Sequence, residues 1–349
     1  MVPETVKVAH QTPERTGTIK RGRSASGRLP NVLGPARAKG RGKGSFGLTV
    51  TGRRLGLCAL CFGLAVHPGS AARGECRIER QAVLPVTFNG FMPTVAASIN
   101  GHRVAIGIDT GAQGTVITPE TVEYLRLPRD PGRFTTSSGV SGRTWVSNAV
   151  LDELEFGGIA YRRKSVAVIA LGQPTAAAGQ FPANVTMAGL IGADLLSAYD
   201  VDFDVPARTI TLYRVNGCTT LSPPWDGGYV TVPVWLTRSR RLAMPVEVNG
   251  NIFSAIFDTG ASGIMLARSS GERIGMVAGM PDAGAKGTVR VAGETIHGLG
   301  VGIMDFPATE ADMLIGEDYM RAHRFWLSYA TRTLFIQADG RIASPDGSR

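Results

Sequence analysis

Apolar and polar positions alternate with a period of two over short stretches through most of the chain beyond residue 80. Such alternation marks strands with one buried face. Residues 94–99 and 102–108 flank Asn100-Gly101, a dipeptide suited to a tight hairpin turn, and Val104, Ile106 and Ile108 alternate with small residues. Residues 242–248 and 251–257 repeat this around Asn249-Gly250. Further strands are predicted at 166–169, 209–213, 229–236, 298–304 and 333–337. Partial helical periods predict short helices at 119–125, 193–199, 267–274 and 317–323. The expected class is all-β with short helices. Asp200, Asp202 and Asp204 alternate with apolar residues, which predicts a strand with a solvated face rather than a cation site.

Composition changes this picture only at the start of the chain. The net charge of +9 over 349 residues looks like a nucleic-acid signal. Residues 1–54, however, hold 12 Lys and Arg against 2 Asp and Glu, and the remainder is near neutral. The body therefore offers no broad field for phosphate, and no nucleic-acid partner is expected. Arg53 and Arg54 precede an apolar run at 55–66, after which small residues follow up to Ala72. That is the layout of an export signal, and it is too short for a stable membrane span. The expected organisation is a basic disordered extension at 1–50, a signal peptide at 51–72, an N-terminal lobe at 73–221, a linker at 222–228 and a C-terminal lobe at 229–349. The protein would be periplasmic or extracellular, and membrane-tethered if the leader stays attached. Cys58 and Cys61 would leave with the leader. Cys76 and Cys218 each sit just before the first strand of a half and are free to pair in an oxidising compartment, or to remain thiols. Neither the cysteine spacing nor the scattered His102, His297 and His323 suggests a metal site, and no cofactor is expected.

The halves are copies of one unit. Residues 99–114 read INGHRVAIGIDTGAQG and residues 248–263 read VNGNIFSAIFDTGASG. Downstream, Leu190-Ile191-Gly192 and Leu314-Ile315-Gly316 are each followed at the same interval by an Arg-Thr pair, Arg208-Thr209 and Arg332-Thr333. Each half thus ends an apolar strand in Asp-Thr-Gly-Ala, at Asp109–Ala112 and Asp258–Ala261. A carboxyl at such a strand exit is partly desolvated, which is costly unless it is paired or functional. The glycines, Gly111 and Gly260, let the backbone fold tightly beneath the carboxyl, and Thr110 and Thr259 have hydroxyls to lock each turn. Two such turns face to face would place Asp109 and Asp258 in contact, where they share a proton.

On these motifs the chain resembles the aspartic proteases, in particular the retropepsin-like bacterial branch, over residues 83–337. The resemblance implies two pseudo-twofold-related, β-barrel-like lobes of the retropepsin/pepsin type in a single chain, a monomer with an internal pseudo-dimer. It implies that Asp109 and Asp258 are the catalytic pair, and that water attacks a peptide bond directly. Leu190, Ile191, Gly192, Leu314, Ile315 and Gly316 would cross beneath the active-site turns, each followed by a short helix. A mobile flap is implied at 137–146, with Gly139 and Gly142 at its bending tip and Trp145 placed to shield the pair; residues 286–296 would be its counterpart. In pepsin-like enzymes a Ser or Thr follows Asp-Thr-Gly, where this chain has Ala112 and Ala261. The expected function is an exported aspartic endopeptidase acting on peptides or unfolded protein. The alternative is a non-catalytic peptide-binding or scaffold protein that kept the fold.

Overall fold

The chain divides after Pro68, and the compact unit that follows, Gly69–Arg349, holds every residue described below. The computed structural model describes residues 75–139, 142–171, 187–276, 287–296 and 300–338. The basic extension, the leader, His297 and the tip of the first flap segment lie outside the described residues.

The class is all-β. The first half runs β1 (Arg77–Asn89), β2 (Met92–Ile99), β3 (His102–Ile108), β4 (Val116–Ile117), α1 (Pro119–Tyr124), β5 (Arg129–Gly139), β6 (Gly142–Phe156), β7 (Ile159–Val168), β8 (Gly189–Ile191), α2 (Ala193–Leu196), β9 (Asp200–Asp204) and β10 (Thr209–Asn216). The second runs β11 (Val230–Pro233), β12 (Trp235–Leu236), β13 (Leu242–Val248), β14 (Asn251–Phe257), β15 (Met265–Ala267), α3 (Arg268–Arg273), β16 (Val289–Val291), β17 (Glu294–Ile296), β18 (Gly302–Met304), β19 (Met313–Ile315), α4 (Glu317–Met320), β20 (His323–Ser328) and β21 (Thr333–Ala338). The Asn-Gly turns form as the dipeptides dictate. Asn100 and Gly101 take φ of 51° and 81°, and Asn249 and Gly250 take 50° and 78°. This left-handed pair matches the twist of the flanking strands.

One pairing order occurs twice. β2 pairs β3 antiparallel, β3 pairs β8 parallel, β8 pairs β4 antiparallel and β4 pairs β7 parallel. In the same way β13 pairs β14, β14 pairs β19, β19 pairs β15 and β15 pairs β18. The motif segments Leu190-Ile191 and Leu314-Ile315 therefore lie beside the strands that deliver Asp109 and Asp258. Ile108, Ile191, Phe257 and Ile315 are all buried there.

Beyond both sets, strands of the two halves share one sheet, in which the order runs β11-β21-β20-β9-β10-β1. The join is β9 against β20, with Phe203 opposite Phe325. Here the expected solvated face is corrected. Asp200 and Asp202 are 2% and 1% exposed. Asp202 accepts two hydrogen bonds from the guanidinium of Arg324, at 3.0 and 2.7 Å, and Asp200 accepts from Trp326 Nε1 and Ala330 N–H. The face that alternation assigned to water is covered by the apolar cluster of Leu221, Trp225, Trp326 and Phe335. The segment 222–228 is thus anchored through the buried Trp225. Cys76 and Cys218 are disulfide-bonded, tying the start of β1 to the end of β10 across 142 residues.

The flap region departs from expectation in two ways. Leu154 on β6 pairs with Ile99 on β2, and Val289 on β16 pairs with Val248 on β13. Within the expected counterpart at 286–296, β16 and β17 therefore correspond to the β6–β7 hairpin, not to the flap hairpin β5–β6, and Lys286 lies outside the described residues. The stretch of sequence that matches the flap hairpin precedes β16, at 277–288, and is far shorter than 128–153 in the first half. Secondly, Trp145 is 72% exposed. Adjacent strand residues point to opposite faces, and it is Val146 that packs inward with Met92, Val116 and Leu190. Trp145 does not shield the carboxyl pair; it stands on the outer face with Phe134.

Candidate active site

The two Asp-Thr-Gly-Ala turns meet through a reciprocal hydrogen-bond lattice. Thr110 Oγ1 donates to the carbonyl of Phe257 at 2.6 Å and accepts from Thr259 N–H at 3.1 Å. Thr259 Oγ1 donates to the carbonyl of Ile108 at 2.6 Å and accepts from Thr110 N–H at 3.0 Å. Both threonines are buried, so water cannot replace these bonds. The lattice leaves each carboxyl facing the opposite turn. A Cβ on Gly111 would stand 2.1 Å from the carboxyl carbon of Asp258, and one on Gly260 would stand 2.4 Å from a carboxyl oxygen of Asp109. Only glycine leaves room for this approach.

Each turn is held from below. The N–H of Asp109 donates to the carbonyl of Ile191 and that of Asp258 to Ile315. Ala193 N–H and Glu317 N–H donate to the carbonyls of Ala112 and Ala261, each at 2.9 Å. A Cβ at Gly192 or Gly316 would meet backbone atoms at 2.6 and 2.5 Å, which explains the glycine in both motif segments.

Sequence reasoning missed two contributors. One is the aspartate in each short helix. Asp194 Oδ1 accepts from Thr115 N–H and its hydroxyl, at 2.7 and 2.8 Å, and Asp318 Oδ2 accepts from Ile264 N–H at 3.1 Å. The signal was present as an Asp at the same short interval after each glycine. The other is Arg241, which precedes Asp258 by the interval that separates Met92 from Asp109. It is visible only by asking where the two copies differ in charge.

The Asp109 and Asp258 carboxyls face each other across the two turns, close enough for the charge of one to act on the other, and two carboxyls so placed do not both ionise cheaply. Their surroundings differ. Asp109 Oδ1 accepts from Gly111 N–H and Ala112 N–H, both at 2.8 Å, whereas Asp258 Oδ1 accepts from Gly260 N–H alone at 2.8 Å. Burial raises both carboxyls above the usual range. Asp258 goes well above it, because the charge of Asp109 adds to burial while Arg241 and one N–H oppose. Asp109 is raised by burial but held back by two N–H donors and by Arg241. The extra N–H donor favours the charged form at Asp109 more than at Asp258, and the two carboxyls titrate as one coupled pair.

Beside the first turn lies a cleft of about 340 Å³, lined in part by Ala112, Val116, Thr135, Ile169, Leu190 and Arg241. Val146 on the inward face of the β5–β6 hairpin packs against the same apolar cluster. Among the described residues no group of His, Cys, Asp and Glu is arranged to hold a metal ion, and no helix is long and apolar enough to cross a membrane.

A family model described as aspartyl protease matches residues 95–195 of the chain. The match takes in the first Asp-Thr-Gly-Ala turn, the β5–β6 hairpin and the Leu190-Ile191-Gly192 segment; it stops short of Asp258. No curated protein matches the chain.

Proposed function

We propose that this chain is an exported aspartic endopeptidase that hydrolyses peptide bonds in peptides or unfolded protein. The observation that carries this reading is the reciprocal threonine lattice that holds each of the two carboxyls against the opposite turn. Asp109 is the base: it takes a proton from a water lying between the carboxyls as the water oxygen attacks the peptide carbonyl carbon. Asp258 is the acid and gives its proton to the carbonyl oxygen, so the tetrahedral intermediate is neutral and no covalent bond to the protein forms. Asp109 then passes its proton to the departing amine nitrogen as the C–N bond breaks. Collapse of the second hydroxyl to a carboxyl group returns a proton to Asp258. Both turns come from one chain, so a monomer is complete, and no step needs a cofactor.

The pH profile tests this. A shared proton held above the usual carboxylate range predicts bell-shaped kcat/KM centred in weak acid, on an unfolded-protein substrate. Residues 112 and 261 have no hydroxyl to stabilise the charged carboxyl. Ala112→Thr with Ala261→Thr adds one, and a hydrogen bond to the ionised form lowers a carboxyl pKa. The basic limb of the double variant is expected about one pH unit lower, roughly the worth of one hydrogen bond to a charged group. Absence of cleavage by wild type across the weakly acidic range overturns the reading.

Export is supported by the leader and by the Cys76–Cys218 bond, which persists only in an oxidising compartment. The exported protein is expected to begin near Arg73 and to carry no alkylatable thiol. Reducing the bond releases a loop of 142 residues and is expected to cost roughly 3–5 kcal/mol in the chain-entropy treatment. Intact mass with and without reductant, and urea midpoints of both forms, check this; an unprocessed N-terminus or two free thiols counts against it.

A further inference from the structure

Arg241 belongs to the second half, yet it works on the first. Its Nη1 donates to the carbonyl of Gly111 at 3.1 Å, inside the Asp109 turn. Nη2 donates to Glu310 at 2.8 Å, and Nε donates to Ser239 Oγ at 2.9 Å. Glu310 also accepts from Ser239 N–H and from the Ser239 hydroxyl. The side chains of Arg241 and Glu310 are only 15% and 16% exposed, so this is a largely covered clamp rather than an exposed surface pair. The matching position of the first half is the buried Met92 and carries no such charge.

We propose that Arg241 is a positioning residue. It holds the Asp109 turn at the register that lets Gly111 and Ala112 N–H reach the carboxylate, and its positive charge fixes the pH range over which the pair shares one proton. The guanidinium suits both tasks. Its planar fork spans two acceptors on different segments at once, and its charge is permanent. The titratable and charged groups facing it are Glu310 from the segment between β18 and β19, Asp109 and Asp258 from the two turns, and Asp194 from α2 across the same cleft. Arg238 and Arg240 lie on its own hairpin and are exposed. A guanidinium favours the charged form of the pair, and Glu310 beyond it offsets this only in part. Removing both charges must therefore shift the pair's titration upward.

The rate readouts rest on the endopeptidase reading; the titration readout does not. Three variants of the full chain serve: Arg241→Gln with Glu310→Gln, Arg241→Lys, and Arg238→Gln as a control for surface charge. Carboxyl titration is followed by ¹³C NMR of aspartate-labelled protein, alongside kcat and KM against pH and the denaturation midpoint. In the double Gln variant the titration and both limbs of kcat are expected to move up by about half to one pH unit. A loosened turn is expected to lower kcat by ~10- to 100-fold, with KM within about twofold. In Arg241→Lys the limbs are expected to stay while kcat falls, because an ammonium keeps the charge but not the fork. Arg238→Gln is expected to match wild type. A folded double variant with unmoved titration and wild-type kcat overturns the proposal. So does a lysine variant indistinguishable from wild type in every readout, should the double variant fail to fold. A shifted titration in a protein whose wild type cleaves nothing would instead keep Arg241's role and overturn the endopeptidase reading.

Discussion

Asp109→Asn and Asp258→Asn are each expected to reduce cleavage of an unfolded-protein substrate by about three orders of magnitude or more at the pH optimum, since proton transfer by a positioned side chain is worth roughly 10²- to 10⁴-fold. In the proposed mechanism the two carboxyls act as a unit, so losing either removes the shared proton. An amide in place of Asp109 accepts hydrogen bonds from Gly111 and Ala112 but takes no proton from water. An amide in place of Asp258 donates a hydrogen bond but transfers no proton to the carbonyl oxygen. Neither change should unfold the chain. Burial and the neighbouring charge already favour the protonated form of Asp258, and Asn is the same size and uncharged. Turnover of each variant at several pH values, with the denaturation midpoint alongside, checks the result. Wild-type turnover by either single variant would remove the pair from the mechanism.

Thr110→Val is expected to be among the most destabilising single substitutions open to this chain. Valine fills the same volume without a hydroxyl. It leaves the carbonyl of Phe257 without its donor and the N–H of Thr259 without its acceptor, both out of reach of water. Each buried polar group so orphaned costs roughly 1–3 kcal/mol, and the two costs fall together. Thr110→Ser keeps the hydroxyl and is expected to lose far less. Guanidinium unfolding of the two variants separates them; equal midpoints would show that the lattice contributes little. Because the same bonds set the distance between the turns, cleavage should fall with stability in the valine variant and recover in the serine one.

What could be read from the residues, and what could not, follows from how far each signal reaches. The Asn-Gly hairpins, the Asp-Thr-Gly-Ala turns and the glycines beneath them are local, and the structure builds each where the sequence places it. Alternation along β9 likewise gives the strand, since it reports which residues share a face. It does not report what lies against that face. Asp202 is buried because Arg324 arrives 122 residues later with two donors, and nothing within β9 announces that partner. The face taken by Trp145 was hidden for a similar reason. The register of β5 against β6 decides whether Trp145 or its neighbour Val146 points inward, and that register is set by packing around Met92 and Leu190. Arg241 was hidden by the repeat itself, because a search for similarity passes over the position where the copies differ.

The sheet shared by the two halves has a consequence for how the molecule is made. Although one pairing order occurs twice, the strands around each set are completed only by the sheet the two halves share. β9 finishes its pairing only against β20, which is synthesised near the end of the chain, and β11 closes onto β21 at the far end. Contacts so distant in sequence raise the contact order, and folding slows accordingly. Until β20 docks, β9 is an open edge bearing three acidic side chains, Asp200, Asp202 and Asp204, whose partners on β20 have not arrived. Those charges discourage the edge from pairing with another chain. The aspartates that end up buried in the finished sheet thus protect the unfinished one; Arg324 pairs with Asp202, and Trp326 and Ala330 bond Asp200, only when the correct partner strand is in place.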